Sequence, residues 1–393
     1  MSRRRFTRTG AAALAAGLAG CSAVADSEPT APASLDAWPP ESDGSPLVTR
    51  TYYPGWMEWA SEAFTRAEVE PLGEPFAWQI KRPFGDGPVG QVRRWIYRLL
   101  HGSSSYTGPR REIDLVSVQD YRLESGRDLL HSLPVERMPG WSNVRERFRD
   151  VEFYRRDGDT FGIPAEGTLL PLTYDPDTFD RPPGSWELLF DSEYAGEAVW
   201  GGSPHDLAKT AAQYTGQDPR DPDDFEAIRA VLEGHYDRLD AARGDGPGSP
   251  TDGFFLTARE AVEAFASGEA VLGSLGMSEM YAARFVRGAR LEYTAPPEGA
   301  LFKAFFFGIP TEAPHPMSGL LFLDWALRPG SAVQLVEQGG YMPTVDVSDR
   351  VGEEVATFLE WPADWDLRYD DPRTAEETEL RYSRMLREVY GLF

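Results

Sequence analysis

Short apolar runs of strand length alternate along the chain with longer stretches whose apolar residues recur every three or four positions. "DLVSV" (Asp114–Val118) precedes "QDYRLESGRDLL", and "GEAVWG" (Gly196–Gly201) precedes "SPHDLAKTAAQYTG". "TAREAVEAFASGEAVLGSLG" runs from a helical pattern into a strand. Strands alternating with helices of this length predict an α/β fold with largely parallel sheets. The helix ends are marked as well. Ser203, Pro204 and Asp206 supply an N-cap, a proline at the first helical position and an acid at the third; Thr257 and Glu260 form a capping box. "SGLLFLDWALRPGSAVQLVEQGGY" reads as two helices split at Pro329–Gly330 and closed by Gly339–Gly340.

One strand departs from the pattern. "PPEGALFKAFFFGIP" (Pro296–Pro310) sets four phenylalanines around Lys303, in a chain whose lysines are otherwise Lys81 and Lys209. Period-two alternation places Lys303, Phe305 and Phe307 on one face and Phe302, Ala304 and Phe306 on the other. The second face is expected to be core.

The 393 residues suffice for two domains, each with its own core. A net charge of -24 and a pI near 4.6 exclude binding driven by phosphate neutralisation, so nucleic acid is not an expected partner. Acidic residues spread over every segment suit a folded protein in high salt, where dense carboxylates hold hydration and their repulsion is screened. Arginine-rich codon usage accounts for the scarcity of lysine equally well, and the two readings are compatible.

The beginning of the chain carries a targeting pattern. Arg3 and Arg4 precede Phe6 and an Ala/Leu/Gly run from Gly10 to Gly20, too short to span a bilayer. Paired arginines ahead of a weakly apolar run are similar to a twin-arginine export signal. "LAGC" resembles a lipobox, which makes Cys21 the expected lipidation site and residues 1–21 the signal peptide. As the single cysteine, Cys21 leaves no intrachain disulfide and no thiolate metal cluster. Residues 22–45, rich in Ser, Ala, Pro and acid without apolar period, are expected to be a disordered tether.

Motifs for catalysis are weak. Gly85, Gly87 and Gly90 match G-x-G-x-x-G, but the preceding "WQIKRPF" is short, charged and interrupted by proline, so a tight turn before a helix is the plainer reading. His101, His131, His205, His235 and His315 have no metal-ligand spacing. No serine lies in G-x-S-x-G. Neither a cofactor nor a metal is expected, and no catalytic residue is assigned.

From Ile113 onward the order of motifs resembles the solute-binding proteins of ABC importers, most of all the spermidine/putrescine-binding group. The pieces are "IDLVSVQDY", "GIPAEGTLLPLTYDPDTF", "GSWELLFDSEYAGEAV", "FEAIRAVL", "FASGEAVLGSL", "PPEGALFKAFFFGIPTEAPHP" and "GYMPT", covering most of Ile113–Thr344. The resemblance implies an α/β, two-lobed fold of the periplasmic-binding type II, with a ligand cleft between lobes joined by crossing strands. It divides the chain into a first part of lobe 1 (46–162), the main part of lobe 2 (163–273), and crossing strands with C-terminal helices completing both (274–393). It also implies a monomer without enzymatic activity that captures a small organic amine and delivers it to an ABC permease. With the leader, it places an exported lipoprotein on the outer face of the cytoplasmic membrane.

The resemblance further assigns ligand contacts. Gln119, Asp120 and Tyr121 follow the "DLVSV" strand, and Tyr53 and Trp56 lie in the early "YYPGWMEW" loop. Two acids three apart in the family fall on Ser203 and Asp206, so one acid survives; Asp206 reads equally as a helix N-terminal acid. A stacking tryptophan falls on Gly276, with Glu279 close behind. The family's tryptophan and aspartate of the crossing strand fall on Lys303 and Phe305. Glu166 is read either as a replacement acid facing the cleft or as a solvated loop residue. Aromatic walls and a few charged groups are what a flexible nitrogenous ligand needs, because a buried unpaired charge is costly. With Lys303 in the site, a zwitterionic or carboxylated compound competes with a polyamine as the expected ligand. A sugar on the same scaffold, and less so a secreted hydrolase, are the remaining alternatives.

Overall fold

A computed structural model describes residues 35, 38–43, 47–50, 54–69, 77–81, 113–117, 130–149, 151, 154–190, 193–244, 248–360, 367–369 and 376–392. The leader with Cys21, the Gly85–Gly90 motif and all of the predicted helix Gln119–Leu130 but its last residue lie outside the described residues; Leu130 forms an antiparallel bridge with Pro310. The strands are β1 (Leu47–Arg50), β2 (Trp78–Lys81), β3 (Leu115–Ser117), β4 (Arg155–Arg156), β5 (Asp159–Thr160), β6 (Ile163–Leu170), β7 (Leu172–Tyr174), β8 (Ala198–Trp200), β9 (Leu272–Ser274), β10 (Glu292–Thr294), β11 (Ala300–Gly308), β12 (Met342–Pro343) and β13 (Leu367–Tyr369). The longer helices are α1 (Pro54–Phe64), α2 (Pro204–Tyr214), α3 (Phe225–Arg243), α4 (Ala258–Ser267), the single-turn α5 (Met277–Tyr281), α6 (Pro316–Ala326), α7 (Pro329–Gly339) and α8 (Glu376–Tyr390).

Two sheets organise these elements. The first has the order β12-β6-β11-β3-β1-β2, with β13 beside β11; the second is β10-β7-β9-β8. The chain passes from one sheet to the other twice, from β6 over Pro171 into β7 and from β10 into β11. Within the first sheet β6 and β11 pair antiparallel, as do β12 with β6 and β3 with β11, while β1 pairs parallel with β2 and β3. The sheets are therefore mixed. The sequence pattern predicted largely parallel ones because it saw the β-α alternation but not the strands that cross between sheets.

Helix ends follow the cap residues. Ser203 Oγ accepts from Asp206 N–H, the Asp206 carboxylate accepts from Ser203 N–H, and Pro204 opens α2. Thr257 and Glu260 cap α4 in the same reciprocal way, and Gly268 ends it in the left-handed region. The predicted helix pair is found as α6 and α7, broken at Leu327–Arg328, with Pro329 opening the second helix. His315 gives α6 no side-chain cap. That role passes to the end of the expected tether, where Asp43 accepts from Met317 N–H at 3.0 Å and Ser318 N–H at 2.9 Å.

One continuous core runs past both sheets. Around the first, Phe64, Trp78, Phe322 and Trp325 meet edge-on or tilted at 5.3 to 5.8 Å between centroids. Around the second, His235 lies against Phe190 and Phe254, and α8 closes the layer through Tyr382 and Tyr390. The aromatic strand β11 is buried at every position except Lys303. Phe302 packs on Phe148 and Phe306 on Tyr154, so the face expected to be core is core. Phe307, expected beside Lys303, also joins the core. Its end of the strand is paired on both edges, with β3 on one side and β6 on the other, in the interior of the sheet.

Candidate functional site

The crossing strands hold the candidate site. Antiparallel register sets Leu301, Lys303 and Phe305 of β11 opposite Leu170, Thr168 and Glu166 of β6, and Pro343 of β12 opposite Glu166 on its other side. Directly paired residues project to the same face, so Glu166, Thr168, Lys303, Phe305 and Pro343 share one surface. A bulge on β6 between the partners of Phe305 and Phe306 leaves these pairs intact.

Elements of the second sheet face this surface. The N-terminus of α2, which follows β8, brings Asp206 to Lys303: Nζ donates to Oδ1 at 2.7 Å, while Oδ2 accepts from Ser203 N–H at 3.1 Å. The Asp206 side chain is 6% exposed and that of Lys303 18%. The helix-terminal reading of Asp206 is seen directly, since Oδ2 caps the helix, while Oδ1 meets the Lys303 ammonium. The N-terminus of α5, which follows β9, is tied to β6 where Met277 N–H donates to Thr168 Oγ1 at 3.1 Å. This places Glu279 in the same region, with Ser278 Oγ donating to its Oε2 at 2.9 Å. Gly276 opens the way: a Cβ there would lie 2.6 Å from Glu279 Oε2 and 3.3 Å from Thr168 Oγ1.

Glu166 is the exceptional group. It is buried, 7% exposed, and makes no hydrogen bond or ion pair with any described residue. Burial disfavours its carboxylate, and the negative charge of Glu279 adds to the effect, so its pKa stands well above the usual carboxylate range. Tyr341, just ahead of β12, is raised in turn by its own burial and by the charges of Glu166 and Glu279. The reading of Glu166 as a solvated loop residue is thereby corrected: "GIPAEGT" is strand, and its acid is enclosed between Phe305 and Pro343.

Of the expected contacts, Glu166, Ser203, Asp206, Glu279, Lys303 and Phe305 are brought together. Phe305 is buried as a wall beneath the site. Tyr53, Gln119, Asp120 and Tyr121 lie outside the described residues, and Trp56 is described only as backbone of α1. Thr168 and Tyr341 were not expected. Tyr341 stood in the quoted "GYMPT", yet only the pairing of β12 with β6 assigns it a place. Two other quoted segments prove structural, because Ser185 Oγ donates to Glu298 and Trp186 Nε1 donates to Gly299 O at 2.8 Å. Among the described residues there is no group of three His, Cys, Asp or Glu placed to hold a metal, and no helix long and apolar enough to cross a membrane.

Comparison with known proteins gives a consistent result. Residues 113–363 match the model of the bacterial extracellular solute-binding protein family. A putrescine/agmatine-binding protein of Pseudomonas aeruginosa is 22% identical over 229 residues, 54% of this chain and 59% of that relative. The match thus spans less than two thirds of that curated relative. Among solved structures, the spermidine/putrescine ABC transporter substrate-binding protein PotD of Streptococcus pneumoniae superposes with a TM-score of 0.61 at 18% identity, over 87% of this chain and 98% of its own. The periplasmic binding protein AfuA of Actinobacillus pleuropneumoniae, with fructose-6-phosphate bound, gives 0.58 at 14% identity, over 90% and 100%. At these identities the likeness is one of fold. The two sheets and their crossing strands are the two lobes of the solute-binding architecture.

Proposed function

The chain belongs to the bacterial extracellular solute-binding proteins, and from that membership we propose that it is the solute-binding subunit of an ABC importer, capturing a small organic amine and delivering it to a membrane permease. The observation that carries the amine is Glu166, a buried carboxyl without a partner among the described residues, whose pKa is raised further by the charge of a second acid, Glu279. A cationic nitrogen is the group that such a carboxyl lacks. Tyr53, Trp56, Gln119, Asp120 and Tyr121 are assigned to the same cleft as its remaining wall. Lys303 favours a second reading on the same scaffold. Its ammonium is partly exposed, so a ligand bearing both an amine and a carboxylate finds a partner for each end.

The protein acts as a monomer with no catalytic step. It is exported by its twin-arginine leader and held at the outer face of the membrane through a lipid on Cys21. Cys21→Ser is expected to release it from membranes, and retention would count against the anchor. The ligand is tested by thermal shift against putrescine, agmatine, 4-aminobutyrate and fructose 6-phosphate, because a ligand of the folded state raises its stability by mass action. A response to an amine supports the reading. A response to fructose 6-phosphate alone overturns it.

A further inference from the structure

We propose that Lys209 is a positioning residue of the cleft: bonded to Glu379 of α8, it holds α2 at the rotation and height at which Asp206 meets Lys303. The proposal rests on the cleft reading above and deepens it by naming what fixes one of its walls.

The chain contains three lysines, and the two whose side chains are described lie on either side of one helix. Lys303 of β11 reaches the first turn of α2 from the crossing strands, and Lys209 leaves the same helix toward α8. Lys209 is 7% exposed. An ammonium so enclosed is costly unless a carboxylate meets it, and Glu379 does so at 2.8 Å. A second bond lies one turn away, where His205 Nε2 and Ser383 Oγ are 2.8 Å apart. Ser383 Oγ donates its proton to Glu379 O at 3.0 Å, so the imidazole is the donor to the hydroxyl. Glu379 therefore anchors both bonds, one through its carboxylate and one through its carbonyl.

The spacing turns these bonds into a restraint on Asp206. His205 and Lys209 are four apart on α2, as Glu379 and Ser383 are on α8, so the two helices meet antiparallel through two bonds one turn apart. Such a pair fixes both the rotation and the slide of α2. Asp206 follows His205 by one residue, about 100° round the helix, which turns it toward β11 while His205 faces α8. A side-chain tip stands about 5 to 6 Å from the helix axis, so a rotation of about 10° carries it about 1 Å. That shift takes the 2.7 Å bond to Lys303 out of hydrogen-bonding distance. The capping box offers no resistance, because Ser203 and Asp206 turn together. Other ties of α8 bypass α2: Arg229 Nη2 donates to Glu388 at 2.7 Å, and Tyr390 Oη lies 2.8 Å from His235 Nδ1, both on α3. Holding α8 in the lobe is thus separable from placing Asp206.

The test uses the full-length protein labelled with carbon-13 lysine, whose three lysines give three Cε signals, assigned with Lys209→Met and Lys303→Met. Glu379→Gln removes the charge that meets Lys209, and Tyr390→Phe is the control that loosens α8 from α3 alone. Glu379→Gln is expected to shift the Lys303 signal together with that of Lys209, while Tyr390→Phe leaves the Lys303 signal in place. A Lys303 signal that stays put in Glu379→Gln, or that moves as far in Tyr390→Phe, overturns the proposal. Should Glu379→Gln fail to fold, Ser383→Ala replaces it and the Lys303 signal is read in the same way. Calorimetry with putrescine, 4-aminobutyrate and fructose 6-phosphate is the second arm. The ligand that binds is expected to lose about threefold or more in affinity in Glu379→Gln and to keep its affinity in Tyr390→Phe. Equal affinity in the wild type and Glu379→Gln overturns the role of Lys209 at the cleft. Binding of fructose 6-phosphate alone overturns the amine reading, whereas the lysine signals still decide whether Lys209 places Asp206, so the two failures are distinguishable.

Discussion

Removing the Lys303 ammonium is the sharpest perturbation of the cleft. Lys303→Met keeps most of the aliphatic stem over the apolar strand and deletes the charge that meets Asp206 at 2.7 Å. Breaking a buried ion pair on one side typically costs about 3 to 5 kcal/mol, since the remaining charge is left enclosed. Asp206 is only 6% exposed, yet it keeps the bond from Ser203 N–H and lies in the first turn of α2. A helix N-terminus offsets about 0.3 to 1 kcal/mol of the loss. Because Lys303 itself is 18% exposed, the cost lies at the low end of that range, and the expected destabilisation is about 2 to 3 kcal/mol. Asp206→Asn is milder, about 1 to 2 kcal/mol, because Lys303 is nearer the surface and can turn to water while asparagine still caps the helix. The double variant is expected to cost little more than Asp206→Asn alone, which gives a coupling energy of about 2 kcal/mol. Urea unfolding followed by tryptophan fluorescence measures all four proteins, provided the slopes agree and a single transition is seen. A coupling below about 0.5 kcal/mol would refute the ion pair as a bond between the lobes.

Three further outcomes follow from other parts of the structure. His235 is enclosed by Phe190, Phe254 and Tyr390, and burial pushes its pKa down to about 3. The unfolded chain takes up the proton near pH 6.5 and the folded one does not, so stability falls as pH drops below that value. Between pH 6.5 and 4.5 this amounts to about 2 to 3 kcal/mol; His235→Gln should remove that share of the slope in urea titrations at several pH values. A Cβ at Gly273 would lie 2.2 Å from Val199 O across the β8–β9 pair, so Gly273→Ala should destabilise by at least about 2 kcal/mol, read as a lower melting temperature. Gly276→Ala meets the movable end of Glu279 instead; it should leave stability within about 1 kcal/mol of wild type but weaken agmatine binding measured by calorimetry.

How far the sequence revealed the site depends on the range of the interaction. Local chemistry was readable: the Ser203–Asp206 and Thr257–Glu260 caps stand where the spacing put them, because a capping box is closed within four residues. Lys303 announced itself as a charge in an aromatic strand. Glu166 was open to two readings, since an acid in Pro164-Ala165-Glu166-Gly167 resembles a loop residue, and burial of a carboxyl without a partner among the described residues runs against every local preference. Its environment is made by Phe305 and Pro343, which reach it only through the pairing of β6 with β11 and β12. Tyr341 was hidden for the same reason. The mixed sheets were misjudged because strand direction is a property of the whole path, and alternation along the chain does not encode it.

The charges of the cleft rank its ligands. Asp206 is neutralised by Lys303, and burial together with the charge of Glu279 holds the Glu166 carboxyl well above the usual carboxylate range. A cationic nitrogen is the partner that Glu166 lacks among the described residues. A second, at the far end of putrescine, approaches a region where the described cation is Lys303, whose repulsion at close range amounts to about 1 kcal/mol even in a solvated cleft. A carboxylate at that end meets attraction instead. Among ligands of similar length, 4-aminobutyrate should therefore bind more tightly than putrescine, by roughly tenfold if the attraction and the avoided repulsion at that end each contribute about 0.7 kcal/mol. Lys303→Met should reverse the order, since it removes the attraction and the repulsion together and leaves the Asp206 carboxylate to favour the second cation. Competition calorimetry on the two proteins decides it. A wild type that prefers putrescine, with the preference unchanged in Lys303→Met, would place the lysine outside the ligand's reach and leave Asp206 as a structural acid.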